Sequence, residues 1–136
     1  MFRALLTSRL QAAFTAAGIA LPEGFSPGVV IASDTRFGDY QSNAAMILAK
    51  QLKMNPRALA EQIKAALQVE DLCEKITVDG PGFLNFTLSA AALAQRLSVI
   101  VKDDHVGVPQ VEQPKTIVVD FSAPNIAKPM HVGHLR

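Results

Sequence analysis

The chain has 136 residues, of which 49% are hydrophobic, and it carries 13 basic against 12 acidic side chains. This length is enough for the core of one ordinary domain and excludes a complete enzyme with two large substrates. The near-balanced charge excludes the strong positive field that binds nucleic acid irrespective of its sequence, so any RNA contact must be local.

The cysteine content and the hydropathy pattern favour a cytoplasmic setting. Cys73 is the only cysteine, so an internal disulfide is impossible, and no neighbours stand at the His/Cys spacing of a zinc site. Arg3 and Arg9 interrupt the alanine- and leucine-rich opening, and no apolar run reaches about 18 residues. We therefore expect neither a signal peptide nor a membrane span.

Helical spacing dominates the first half of the chain. Apolar residues recur every three or four positions up to Gly18, a β-branched run at 29–31 predicts a short buried strand, and 34–39 predicts a polar loop. Two further helices follow, and the second of them begins at Pro56 with Asn55 as its cap. The residues expected to face inward on the three helices are Phe2, Leu6, Leu10, Ala13, Phe14 and Ala17, then Ala45, Leu48, Ala49 and Leu52, then Leu59, Ile63, Ala66 and Leu67.

The apolar period then changes from about 3.6 to 2, which predicts a β-hairpin. One strand contains Ile76 and Val78, the segment 80–82 turns the chain, and the second strand has a core face of Leu84, Phe86 and Leu88. Ser89 can cap a fourth helix. The inward residues expected on that helix are Leu93, Leu97, Ile100 and Val101.

The second strand of the hairpin also offers a candidate binding surface. Because alternate residues take opposite faces, Phe83, Asn85 and Thr87 must point away from the core. An outward aromatic ring beside an amide can stack on an unpaired base and hydrogen-bond its edge, as in the recognition of single-stranded RNA. The alternative is that a neighbouring helix covers Phe83.

The last third of the chain changes character. Residues 102–114 carry charge, two prolines and no periodicity, whereas 116–119 form the continuous apolar run of a strand covered on both faces. We predict an α+β fold: an N-terminal domain at 1–103 in which helices pack on a small antiparallel sheet, and a linker at 104–115. Residues 116–136 would begin an incomplete Rossmann-like α/β domain with its first strand.

The segment 120–136, Asp-Phe-Ser-Ala-Pro-Asn-Ile-Ala-Lys-Pro-Met-His-Val-Gly-His-Leu-Arg, joins that strand to a His-x-Gly-His turn. It strongly resembles the arginyl-tRNA synthetase form of the class I "HIGH" signature, with Val132 in the isoleucine position. Two upstream stretches, 37–41 (Phe-Gly-Asp-Tyr-Gln) and 80–86 (Gly-Pro-Gly-Phe-Leu-Asn-Phe), resemble the additional N-terminal domain of the same family. The resemblance implies a piece of an arginine–tRNA ligase that is inactive alone, because the second, lysine-containing class signature is missing.

The resemblance also implies an ATP site made of Lys128, His131, Gly133 and His134. A helix N-terminus at the mouth of a parallel strand offers free N–H groups and a positive dipole end to phosphate. His131 and His134 are the expected catalytic residues, because both can donate to phosphate oxygens as pyrophosphate leaves. Gly133 leaves room for adenine, and Lys128 either meets a phosphate or is merely solvated.

Arginine and tRNA contacts follow from the same resemblance. Asn125 and Ser122 are expected near the α-amino and carboxylate groups of L-arginine, and Asp120, where the family often has Glu, near its guanidinium. A carboxylate can hold a guanidinium in a bidentate pair, although Asp has a shorter reach than Glu. Phe83 and Asn85 match the positions that contact a base in the D-loop of arginine tRNA.

Two other classes of protein compete with this interpretation. The chain would be a stand-alone tRNA-binding module if it recognised the tRNA elbow without catalysis. A metal hydrolase using His131 and His134 would need a third ligand that the sequence does not show at suitable spacing. We therefore expect Mg²⁺ only as the companion of ATP and no tightly bound protein metal. The resemblance also implies that the full-length enzyme is a monomer.

Overall fold

A four-stranded antiparallel sheet, with strand order β1-β2-β4-β3, forms the centre of the domain. The computed structural model describes residues 1–108, 110–119 and 129. Their elements, in chain order, are α1 (Phe2–Ala16), β1 (Val30–Ile31), a short 3-10 helix (Thr35–Phe37), β2 (Tyr40–Ser42), α2 (Ala44–Leu52), α3 (Pro56–Ala66), β3 (Cys73–Asp79), β4 (Phe83–Leu88) and α4 (Ala90–Val101).

The hairpin of β3 and β4 is the longest pairing in the sheet. Ile76 lies opposite Phe86, and Val78 opposite Leu84, so the alternation of the sequence places these side chains on one face. On the other side of β4, the short strand β2 pairs Tyr40 with Phe86 and extends the same apolar face. The predicted hairpin and its core face are confirmed.

Helices α1, α2 and α3 cover the apolar face. Each contributes the residues that recur at helical spacing, so the core is continuous from the helices to the sheet. The largest fully buried side chains in it are Leu6, Leu10, Phe14, Leu48, Leu59, Ile63, Leu84 and Phe86. The inward faces predicted for these three helices are confirmed except at Leu52, which is exposed.

Side-chain caps start two of the helices where the sequence indicates. The Asn55 side chain accepts hydrogen bonds from the backbone N–H groups of Arg57 at 2.9 Å and Ala58 at 3.2 Å, and Pro56 opens α3. Ser89 accepts from the N–H of Ala92 at 3.1 Å at the start of α4. Both predicted caps are confirmed.

Two strand predictions need correction. β1 has the predicted position but is an edge strand with exposed side chains, so only the preceding Val29 is buried. β2 is not predicted by the sequence, which gives a polar loop at 34–39 followed by a helix, yet Tyr40–Ser42 pairs with β1 on one side and with β4 on the other. A strand of three residues shows too little alternation to be recognised.

The last helix and the segment after it also differ from expectation. Leu93, Leu97 and Val101 are exposed on α4, and Ala92 is its buried residue. Residues 116–119 form no strand and are exposed, because among the described residues no strand pairs with them. A strand requires a partner for its backbone N–H and C=O groups.

Candidate nucleic-acid interface

The face of the sheet opposite the core carries a connected group of polar residues. Gln41 on β2 and Thr77 on β3 both lie opposite Asn85 on β4, and Asp79 lies opposite Phe83 one step further along. Side chains that face each other across antiparallel strands share one side of the sheet. We call these five residues, Gln41, Thr77, Asp79, Phe83 and Asn85, the polar face.

A chain of hydrogen bonds runs across the polar face. Gln41 Nε2 donates to Asn85 Oδ1 at 2.8 Å, and Asn85 Nδ2 donates to Asp79 Oδ2 at 2.6 Å. The Thr77 hydroxyl donates to the same carboxylate oxygen at 2.6 Å, and Asn85 Nδ2 makes a longer contact of 3.4 Å with Thr77 Oγ1. The polar groups therefore hold one another in fixed positions.

Asp79 is the negative end of this chain. Hydrogen bonds lower the pKa of Asp79 below its ordinary value, and the bond from Thr77 has a larger effect than the bond from Asn85. The positive charges of Lys75 and Arg57 act in the same direction. The carboxylate is consequently ionised at neutral pH. The same two cations place positive charge beside the polar face, where a phosphate could meet it.

The hairpin turn sets the position of Phe83. Gly80 and Gly82 both have positive φ, and Gly82 lies so close to the backbone of Pro56 that a Cβ would come within 2.7 Å of its carbonyl oxygen. The turn is therefore seated against the start of α3. Phe83 follows directly as the first residue of β4 and is half-buried.

The structure places the two predicted tRNA-binding residues on one face but gives them different exposure. Phe83 and Asn85 do share the face opposite the core, as the alternation predicts. Asn85, however, is only 2% exposed, so its amide lies on the predicted face but is not accessible to solvent there. The neighbouring side chains of Gln41, Thr77 and Asp79 use its hydrogen-bonding groups.

The segment 37–41, which runs from the end of the short 3-10 helix into β2, also supports β4. The Asp39 N–H donates to the Phe86 carbonyl oxygen at 2.8 Å, and the Asp39 carboxylate accepts from the Leu88 N–H at 2.8 Å. Gln41, in the middle of β2, is not among the site residues that the sequence predicts. Its hydrogen bond to Asn85 depends on a pairing between β2 and β4 that alternation cannot reveal.

The residues predicted to bind ATP and arginine lie outside the described residues. They are Asp120, Ser122, Asn125, Lys128, His131, Gly133 and His134. Their roles stay predictions.

Within the part of the chain that the structure describes, no helix is both long and apolar enough to cross a membrane.

Comparison with known proteins first defines a class. Residues 96–136 match the family model for the catalytic domain of class I (R) tRNA synthetases. Residues 3–88, more than half of the chain, match the model for the arginyl-tRNA synthetase N-terminal domain. The chain belongs to the arginyl-tRNA synthetase family.

Individual relatives agree with this assignment. The chain is 46% identical to an arginine–tRNA ligase of Colwellia psychrerythraea and 49% identical to one of Thermosynechococcus vestitus, each over 97% of this chain. It is similar in structure to Thermus thermophilus arginyl-tRNA synthetase, with a TM-score of 0.62 and 27% identity over 99% of this chain and 21% of that one.

The chain spans 22–23% of the length of the curated relatives it matches. The match runs through an N-terminal domain and into a catalytic one. The interpretation of the chain as a stand-alone tRNA-binding module is therefore not favoured, because residues 96–136 match a catalytic domain.

Proposed function

We propose that the protein carrying this sequence is an arginine–tRNA ligase, which converts ATP, L-arginine and arginine tRNA to arginyl-tRNA, AMP and diphosphate. The observation that carries the proposal is the match of both family models in order along one chain. We place the enzyme in the cytoplasm, as a monomer. The 136 residues alone are expected to be inactive, since they correspond to 22–23% of the relatives' length.

Residues 120–136 would supply one half of the adenylation site. In this proposal His131 and His134 stabilise the charge that develops as the arginine carboxylate attacks the α-phosphate of ATP and pyrophosphate leaves. Lys128 and Gly133 help to bind ATP, with Mg²⁺ accompanying the phosphates. Asp120, Ser122 and Asn125 bind L-arginine, and they are supported by the match of this segment to the catalytic-domain model.

The polar face would recognise arginine tRNA. Phe83 is a half-buried aromatic residue beside the hairpin turn, where its ring could stack on an unpaired D-loop base. Asn85, the second proposed tRNA-binding residue, belongs to the same face and holds the half-buried Gln41 amide through its Oδ1. Arg57 and Lys75 supply local positive charge although the chain as a whole is close to neutral.

The first test is binding of the 136-residue chain to arginine tRNA and to an unrelated tRNA, at low and moderate salt. Phe83→Ala is expected to reduce affinity for arginine tRNA by about tenfold, since stacking on an aromatic side chain contributes about 1–3 kcal/mol per base. Phe37→Ala is the matched control, because Phe37 is 37% exposed but lies outside the polar face. Asn85→Ala should also weaken binding, and its folding must be verified because Asn85 is buried.

The outcomes separate the possibilities clearly. Loss of the preference for arginine tRNA in Phe83→Ala, but not in Phe37→Ala, supports recognition by the polar face. Equal behaviour of both variants and the wild type would refute it. In that case Phe83 serves only to pack the hairpin.

The adenylation half is tested in the full-length enzyme. His131→Ala and His134→Ala should each slow arginine-dependent exchange of pyrophosphate into ATP by about a hundredfold, a typical loss for one donor to a developing charge. His105→Ala is the control, because His105 lies outside this segment and is exposed. Unchanged exchange in both test variants would remove these histidines from the mechanism.

A further inference from the structure

Asp79 fixes the direction of the hydrogen-bond chain on the polar face. An ionised carboxylate can only accept, so the Asn85 atom 2.6 Å from it must be the donor Nδ2. Oδ1 of Asn85 then faces Gln41, which must present its own donor, Nε2, at 2.8 Å. This order, from Gln41 through Asn85 to Asp79, leaves Oε1 and the second amide hydrogen of Gln41 for other partners.

The two amides of the polar face therefore differ in what they can offer. Asn85 is 2% exposed, and Asp79, Thr77 and Gln41 occupy both ends of its amide. Gln41 is only half-buried and makes one side-chain hydrogen bond within the described residues. Of the two, Gln41 is better placed to meet a ligand.

Gln41 is also close to the proposed stacking position. It lies opposite Asn85, and Phe83 is two residues from Asn85 on the same side of β4. Such diagonal positions are roughly 7–8 Å apart across a sheet, within reach of long and aromatic side chains. A base stacked on the Phe83 ring would bring one edge near the Gln41 amide.

We propose that Gln41 is a specificity-determining contact for the unpaired base that stacks on Phe83, and that Asn85 and Asp79 are positioning residues that orient its amide. The inference rests on the proposed function of the polar face. An amide that offers a donor and an acceptor side by side suits a base edge with the complementary pair, as adenine presents at N6 and N7. Stacking would provide affinity for any base, and Gln41 would provide the choice among bases.

The test uses the 136-residue chain and arginine tRNA transcripts in which each unpaired D-loop base is replaced in turn by the other three. The wild type should prefer one base at one position by about tenfold. Gln41→Met keeps a similar length but cannot hydrogen-bond, so it should still bind while its preference falls to nearly equal affinities. Gln51→Met is the control, since Gln51 is exposed on α2 and outside the polar face.

Asp79→Asn tests the positioning role. The new amide can donate as well as accept, so it no longer dictates which way the Asn85 and Gln41 amides turn. We expect the base preference to weaken or to move to another base. Folding of this variant must be verified, because Asp79 accepts two hydrogen bonds of 2.6 Å, one of them from the buried Asn85. Asp79→Glu, which keeps an ionised acceptor, should retain part of the preference.

The result can distinguish this inference from the proposed function. If Phe83→Ala loses the preference for arginine tRNA while Gln41→Met keeps the full base preference, only the role of Gln41 is wrong. If Phe83→Ala has no effect either, the proposed binding face itself is wrong. Reduced preference in Gln51→Met equal to that in Gln41→Met would also overturn the assignment.

Discussion

Gly82 closes the hairpin turn where the turn meets α3, and Gly82→Ala tests the close packing there. Its φ of +127° is rarely adopted by other residues, and an added Cβ would lie 2.7 Å from the carbonyl oxygen and 2.9 Å from the carbonyl carbon of Pro56. The unfavourable φ costs about 1–3 kcal/mol. Overpacking against backbone costs about 1–3 kcal/mol more, so the free energy of unfolding should fall by about 2–6 kcal/mol.

Two other glycines separate the two causes. Gly80 is in the same turn at φ +55°, but its nearest neighbour to a built Cβ is Phe83 Cδ2 at 3.8 Å. Gly80→Ala should therefore cost only about 1–2 kcal/mol, the strain of the left-handed conformation. Gly28 has no positive φ and nothing within 4 Å, so Gly28→Ala should be neutral or stabilise by about 0.4–1 kcal/mol.

Urea unfolding followed by far-ultraviolet circular dichroism measures these differences, since the chain has no tryptophan to report by fluorescence. The comparison is valid if the denaturant slopes of the three variants agree, which indicates that they expose similar surface on unfolding. A loss in Gly82→Ala no larger than in Gly80→Ala would refute the close approach to Pro56. The proposed support of Phe83 by α3 would then lose its structural basis.

Three further predictions concern the core, a cap and the thiol. Phe86→Ala should lower the free energy of unfolding by about 3–5 kcal/mol in urea, because this fully buried side chain leaves a cavity; a loss below about 1 kcal/mol would contradict its central position. Asn55→Ala should cost about 1 kcal/mol and Asn43→Ala much less, since only Asn55 caps its helix through a side-chain hydrogen bond; equal losses would contradict this. Burial raises the pKa of Cys73 to about 11, so the folded state disfavours the thiolate. The contribution of this thiol to the free energy of unfolding should therefore be fully present below about pH 9 and be lost as the pH rises towards 11. Alkylation of the thiol should be slow until the domain unfolds, and rapid labelling of the folded chain would contradict the burial.

The sequence predicts those parts of the fold that depend on local patterns. Helices α1 and α3 combine regular apolar spacing with clear boundaries, at Gly18 for the first and at Asn55-Pro56 for the second. The hairpin combines alternation with a glycine-rich turn. In each case the residues that form the element also determine which of its faces is buried, so pattern and structure agree.

The arrangement of the candidate site depends on pairings between distant parts of the chain. Gln41 and Asn85 are 44 residues apart in sequence and meet only because β2 pairs with β4. Alternation correctly assigns Asn85 to the face opposite the core, but it cannot tell an exposed residue from one enclosed by its neighbours. The burial of Asn85 and its hydrogen bond from Gln41 become visible only in the assembled sheet.

Helix α4 shows a different limit of pattern reasoning. Its apolar residues fall on more than one side, and the sequence favours the side with the larger ones, Leu93 and Leu97, both of which are exposed. The buried residue is Ala92, which with Val99 borders a groove also lined by Phe2 of α1. A small side chain allows a helix to approach its neighbour closely, whereas a prediction from apolar spacing selects the face that carries the larger side chains. Size alone does not select the packed face either, because Ala90, Ala91 and Ala94 are exposed although they are as small as Ala92. The packed face of this helix is determined by its contact with α1, which the spacing of residues within α4 cannot reveal.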